Sequence, residues 1–341
     1  MAIWTDIIEP ETLTEYARDH AFEVEGRGDS LGQFLPNRQV SDVRVNFKRN
    51  VRKFVDAADF RAWDAAPTQG RTQGGKEQSL RLAATAKTQP LSEYDQLRVR
   101  NSGNTEVRDN LLEVTEMLVE SVVAAVELKR AEALVHGTVT LHVGEDAAPQ
   151  VDDFGRNPNH NAVAPVPWTD PTASRLDYLL MLQDVYADAN GEAPGCLYMS
   201  NKVFRALVRG TEFATVLMGG ANRTATKEQA IDLLASYGLP SIVVCERKIN
   251  GSLIIPEDRL LMLPAPVGIN EPNGTQLGAT FWGQTLAATE GGFSLGNLEL
   301  PGLVAVANKT TDIPIRKSVT VDAIALPVLT NPDLSLVAKV L

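Results

Sequence analysis

The chain has 341 residues, 44% of them apolar and 22% charged, which is enough to bury a core in two or three domains and too apolar for a disordered chain. No run of about 18 apolar residues occurs, and the acidic start "MAIWTDIIEPETLTEYARD" has no apolar stretch, so neither a membrane span nor a signal peptide is expected and the chain reads as one folded in a cytoplasm. The formal charge of −11 is uneven: residues 36–100 hold 13 Lys and Arg against 7 Asp and Glu, which leaves 19 against 36 for the rest.

A basic segment on an acidic body reads either as an arm that docks on acidic surfaces, those of identical copies among them, or as uneven solvation. Cys196 and Cys245 sit in apolar runs ("GCLYM", "IVVCE") and are expected as buried free thiols.

Residues 1–35 show no sustained period and read as an extended arm. Val43, Val45 and Phe47 then alternate with Arg44, Asn46 and Lys48, the period of a strand exposed on one face. From Arg52 to Gln89 the expectation is a long hairpin. Its first arm is "RKFVDAADFRAWDAAP"; its second carries Leu80, Leu82, Ala84 and Ala86 on one face and Arg81, Thr85 and Lys87 on the other; a glycine-rich tip spans 67–78. At about 3.3 Å per residue, an arm of about fifteen residues reaches roughly 50 Å. An isolated two-stranded hairpin is marginal in water. This one therefore needs a surface to lie on, in its own body or in a neighbouring molecule.

Val107, Leu111, Val114, Leu118, Val122, Ala125 and Val126 recur at helical spacing between Asn104 or Thr105 and Gly137, predicting a helix of about 32 residues, near 48 Å long. The Asn- and Pro-rich stretch 138–168 reads as loop and short strand with a boundary in it. Beyond it come a helix from Pro171 to Gly191, a second in "SNKVFRALVRG", and a third in "TKEQAIDLLASYG", which opens with a Thr226–Gln229 capping box. "SIVVCER", the Asn250-Gly251 turn and "SLIIPEDRLLMLPA" read as a hairpin. After Pro301, "LVAVANK" and "SVTVDAIALPVL" are β-rich, with Pro327 and Pro332 marking an edge or exit.

Chemical motifs are weak. "GRTQGGKE" (70–77) matches a phosphate-binding loop except that Glu77 replaces the required hydroxyl; a proline precedes the glycines and a strand, not a helix, follows them. "RGD" at 27–29 is a chance tripeptide. His20, His136, His142 and His160 form no zinc pattern, and no nucleophile elbow is present. Catalytic, cofactor and metal residues are therefore expected to be absent.

The order of parts resembles the major capsid proteins of tailed phages, the fold named after phage Hong Kong 97, and within it the lambda-type capsid protein E family. The likeness rests on "IIPEDRLLMLPAPVG" (254–268), "ATFWGQTLAATE" (279–290) and "VDAIALPVLTNPDLSLVAKV" (321–340). The resemblance implies an α+β fold with an N-terminal arm (1–35), an extended β-hairpin loop (36–103), a peripheral domain carrying the long spine helix (104–168 with 301–341) and an axial domain (169–300). It implies a virion shell of identical copies in pentamers and hexamers, assembled in the host cytoplasm, with scaffolding, portal and decoration proteins as partners and non-specific contact with packaged double-stranded DNA. Arg61, Trp63, Gly70, Arg71, Gly74, Gly75, Lys76, Arg81 and Lys87 are then the expected inter-subunit contacts of the loop. Some relatives join a Lys to an Asn near a Glu; Lys76 lies in the corresponding loop, without an identifiable Asn or Glu partner. A nanocompartment shell of the same architecture, and an enzyme using the hairpin as a lid, are the alternatives.

Overall fold

The computed structural model describes residues 2–48, 60–61, 63–64, 77–91, 93–98, 104–141, 148–213, 226–271, 275–289, 302–310 and 315–341. Two mixed sheets organise them.

The first sheet is built on β16 (Lys317–Leu329), 13 residues of mostly β-branched and small side chains. Along one edge run β15 (Val304–Lys309), antiparallel through Val304↔Asp322, and β14 (Gly278–Gly283), antiparallel through Gly283↔Ile324. Along the other runs β5 (Ala83–Leu91), from Lys317↔Leu91 to Ala325↔Ala83. β1 (Ala2–Ile3) extends β15, and β2 (Asn37–Gln39) extends β14. Pro327 lies beyond the last β5 pair, where β16 keeps a single ladder, so its missing N–H breaks nothing. Gly278 is required by contact: a Cβ there would stand 2.1 Å from the Val328 carbonyl oxygen.

The second sheet has the order β10 (Ser241–Val244), β9 (Cys196–Met199), β13 (Arg259–Leu263), β17 (Leu336–Lys339), β8 (Asn161–Val163). With it go α4 (Arg175–Asn190), α5 (Asn201–Val208) and α6 (Lys227–Ser236). Their ends follow from sequence. The Ser200 hydroxyl accepts the Val203 N–H, Thr226 and Gln229 form the reciprocal capping box, and Gly191 ends α4 with φ 76°. Both cysteines are buried and unpaired.

The helix α3 (Asn104–His136) runs 33 residues and serves two cores in succession. Leu111 to Val126 pack with Leu13, Ala17, Val319, Val321 and Ala323; Ala131 to Val135 join the core built on Tyr198, Leu261, Leu326 and Val328. Alternation along β16 sends Val321 and Ala323 to one core and Leu326 and Val328 to the other. Between the two stretches of α3 sits Arg130, fully buried. Its Nη1 donates to Glu25 Oε1 (2.7 Å) and Glu127 Oε2 (3.1 Å), its Nη2 to Asn37 Oδ1 (2.6 Å) and its Nε to Thr280 Oγ1 (2.8 Å). Burial opposes the charge, but the two carboxylates outweigh it and hold the guanidinium pKa above its ordinary value. Glu127 also accepts the Leu31 N–H at 2.6 Å and faces Arg247 at 3.4 Å.

Four expectations are corrected. The first 35 residues are not an extended arm: α1 (Pro10–Glu25) buries Leu13, Ala17, Ala21 and Val24, and Thr14 donates to the Ala305 carbonyl at 3.0 Å. Two of those four apolar positions are alanine, which dilutes the helical period. The second hairpin arm does not stay a hairpin. β4 (Glu77–Arg81) pairs with β3 (Arg44–Lys48), which precedes the expected first arm, most of which lies outside the described residues, and β5 then leaves to close the free edge of β16 in the same chain. Thus nine residues of the ribbon have a home on their own molecule. "SIVVCER" does not pair across Asn250-Gly251 with "LLML": that turn joins only β11 (Lys248–Ile249) to β12 (Ser252–Leu253), while β10 runs parallel to β9. Finally, 278–283, placed with the axial segment, ladders onto β16, and 336–339, placed with the peripheral segment, lies between β13 and β8.

Arg130→Met would leave Glu25 buried without the Arg130 cation and Glu127 with only its longer contact to Arg247. The unfolding free energy of the unassembled subunit is expected to fall by about 3–5 kcal/mol, read from a urea titration followed by circular dichroism. A fall below about 1 kcal/mol would mean that the cluster is not structural.

Candidate assembly surface

Of the nine residues expected in the loop contact, Gly70, Arg71, Gly74, Gly75 and Lys76 lie outside the described residues, as do residues 67–76 of the expected tip, while Glu77 and Gln78 belong to β4. Arg61 and Trp63 are described and exposed, Trp63 at 98% beside Phe60 at 106%. An indole and a phenyl ring held wholly in water mark a surface made for contact. Arg81 is exposed and stands directly across the β3–β4 ladder from Arg44, so two like charges face each other at the loop root. Lys87 is already engaged: its Nζ donates to Ser121 Oγ on α3 at 2.8 Å, fastening β5 to the spine helix of its own chain.

A second surface was missed by the sequence reading. Helices α1 and α3 lie side by side in parallel: Tyr16 donates to Glu116, His20 meets Glu120 at 3.9 Å, and Arg27 meets Glu120 at 3.6 Å. The Glu116 carboxylate, which accepts from the Tyr16 hydroxyl, pushes its pKa up to about 12. Beyond these contacts the pair presents carboxylates to water: Glu15, Asp19 and Glu23 from α1, and Glu106, Asp109 and Glu113 from α3. The signal was legible, since 106, 109, 113, 116 and 120 repeat at spacings of three and four along one helical face. The short helix α2 (Glu93–Arg98) adds Tyr94 and Leu97, 72% and 54% exposed, three residues apart.

At the loop root a cavity of about 380 Å³ opens between β5, α3 and the hairpin of β6 (Thr138–Leu141) and β7 (Gln150–Asp153). Its walls include Leu82, Ala84, Val126, Leu141 and Pro327; Lys129 also lines it, with its amine bound to Glu132 at 2.8 Å and the Thr140 carbonyl at 2.6 Å. Among the described residues no group of three His, Cys, Asp or Glu is placed to hold a metal ion, and no helix is long and apolar enough to cross a membrane.

The model of the family described as phage major capsid protein E matches residues 33–279. Among solved structures, a protein described as the capsid protein of a prophage in E. coli CFT073 is similar with a TM-score of 0.59 at 14% identity, over 95% of this chain and 98% of its own. A phage-related protein from Bordetella bronchiseptica RB50 is similar with a TM-score of 0.55 at 13% identity, over 94% and 96%. At these identities the likeness is one of fold. No curated protein matches the sequence.

The four tryptophans make the exposed root measurable, because Trp4, Trp168 and Trp282 are buried and Trp63 is not. In the unassembled subunit iodide should quench a single red-emitting component, and Trp63→Phe should remove it. A quenchable fraction unchanged by that substitution would place Trp63 under cover.

Proposed function

This chain belongs to the phage major capsid protein E family, and we propose that its work is mechanical: copies of it close into the icosahedral head of a phage and enclose the genome, with the extended loop of each copy lying on the next. It is a major capsid protein with the Hong Kong 97-like fold, and that family's role is structural rather than enzymatic. The observation that carries the reading is the family match, which spans the loop, the spine helix and four of the five strands of the second sheet.

We further propose which surfaces meet. Residues 44–81 carry nine Lys and Arg against four Asp and Glu, and their described part leaves Phe60 and Trp63 in water. The α1–α3 face carries the opposite charge. Seating the loop of one copy on the acidic helices of another neutralises both and covers the two rings. Arg61, Trp63, Arg71, Lys76 and Arg81 supply the loop side, and Gly70, Gly74 and Gly75 allow its tip to bend differently in pentamers and hexamers. Obligate contacts of this kind bury about 2,000 Å² or more, so a shell does not require any single pair to be strong. The peripheral unit is the first sheet with α1 and the N-terminal part of α3; the axial unit is the second sheet with its helices. Scaffolding, portal and decoration proteins complete the particle, which assembles in the host cytoplasm; the acidic remainder of the subunit keeps packaged DNA from adhering to the wall.

Electron microscopy of the purified protein should show closed shells, and a stable monomer by light scattering would overturn the reading. Lysine at Glu106, Asp109 and Glu113 together should prevent shells from forming at low salt. Glutamate at Arg52, Arg71 and Lys76 should do the same, and mixing the two variants should restore mixed shells. Failure of the mixture, with both variants folded, would move the loop contact elsewhere.

A further inference from the structure

Where α3 ends, the chain builds a joint that the assembly reading does not use. Arg156, 7% exposed, turns its guanidinium onto the last open carbonyls of the spine helix: Nη2 donates to Ala133 (3.1 Å) and Leu134 (2.7 Å), Nη1 to Val135 (3.2 Å). Four residues on, His160 is fully buried, its ring stacked on Tyr186 of α4 with centroids 6.3 Å apart and planes at 18°. Neither imidazole nitrogen makes a hydrogen bond of good geometry, although backbone acceptors of Asp333 and Ser335 lie close to the ring. The third wall is the turn Pro332–Leu334, by which the chain crosses from β16 of the first sheet to β17 of the second. Asp333 in that turn accepts the Asn157 N–H at 2.8 Å, the Tyr186 hydroxyl donates to the Leu334 carbonyl at 3.2 Å, and Asn190 donates to the Asp333 carbonyl at 2.9 Å.

We propose that His160 is an acid-released latch: neutral, it closes the joint between the end of the spine helix, α4 and the crossover turn; protonated, it opens that joint and frees the two sheets to shift relative to each other. The inference concerns the single subunit and holds whether or not the loop contact proposed above is right.

The charges around the ring decide the direction. Arg156 from the preceding loop repels a second cation, and burial penalises it more; Asp333 and the backbone acceptors of Asp333 and Ser335 act the other way. Tyr186 from α4 is itself pushed up by burial and stays neutral. The outcome is a pKa below the ordinary 6.5. A histidine depressed in the closed state takes up its proton more readily once the joint opens. Its stabilising contribution is therefore complete above the ordinary value and is lost as pH falls from there toward the value in the closed state.

Hydrogen exchange tests this. After correction for intrinsic rates, protection of segments 133–137, 156–163 and 330–336 should fall at least about tenfold more than that of 196–199 between about pH 7.5 and about pH 5. His160→Phe keeps a ring against Tyr186 and has nothing to titrate, so the selective loss should vanish. Should that variant not fold, His160→Gln serves, and the wild-type imidazole resonance must titrate below 6.5 in step with the exchange change. The same acid loss in His160→Phe or His160→Gln, an equal loss over all segments, or an imidazole titrating at or above 6.5 would each overturn the latch.

Discussion

One helix has to serve two cores, and the place where it changes from one to the other is charged. Up to Val126 the buried face of α3 belongs to the α1 layer; from Ala131 it belongs to the core of the second sheet. Glu127 and Arg130 fill the gap. A desolvated ion pair gives little net stability against a greasy replacement, and its usual yield is geometric. Here the geometry is a four-way junction, since Arg130 reaches α1 through Glu25, β2 through Asn37 and β14 through Thr280. Trp282 donates to the same Asn37 oxygen at 2.8 Å, and Glu25 accepts from the Asn37 amide at 2.5 Å. Each polar atom has a specific partner, so the elements can meet in one register only.

That junction explains why the N-terminal residues are part of the body. Trp4 is buried, with Lys317 Nζ 4.0 Å from its ring centre, Thr14 bonds to Ala305 near the start of β15, and Glu25 completes the cation site. Small side chains allow the approach: Ala305, Ala307 and Ala323 on the strands face Leu13, Ala17 and Ala21 on the helix. Rigidity in this layer is what lets a shell subunit offer long surface features without collapsing onto them.

Regular elements with local determinants were legible in the sequence. The spine helix follows from seven apolar positions at one period, the ends of α5 and α6 from Ser200 and Thr226, and the tight turn from Asn250 and Gly251, both at positive φ. What escaped was set by distant partners. β5 is a run of Ala and Thr whose position is decided by the free edge of β16, more than 200 residues on. The crossing of the chain from β16 to β17 is a matter of topology, marked locally only by Pro332. Arg130 was readable in one respect: it occupies the register of Val119, Val123 and Val126 on a face that is otherwise apolar. A cation on a greasy stripe signals a buried partner, and Glu127 and Glu25 are that partner. Within the candidate surface, the basic loop was visible as composition, while the acidic face needed the side-by-side packing of α1 on α3.

The two kinds of electrostatics in this molecule do opposite work. At Arg130 charges are paired inside one chain, in a dry site where salt screens little. On the α1–α3 face, carboxylates stand in water, where a close pair with an opposite charge contributes at most about 1 kcal/mol and screening is strong. A subunit built this way stays folded under conditions that change how its copies associate. In the assembly proposed above, many weak, screened contacts make each step reversible, so a copy seated in the wrong register can leave before the shell closes. Exchanging the two arrangements, with strong dry pairs between copies and weak wet ones inside, would give a softer subunit and a shell that could not correct its errors.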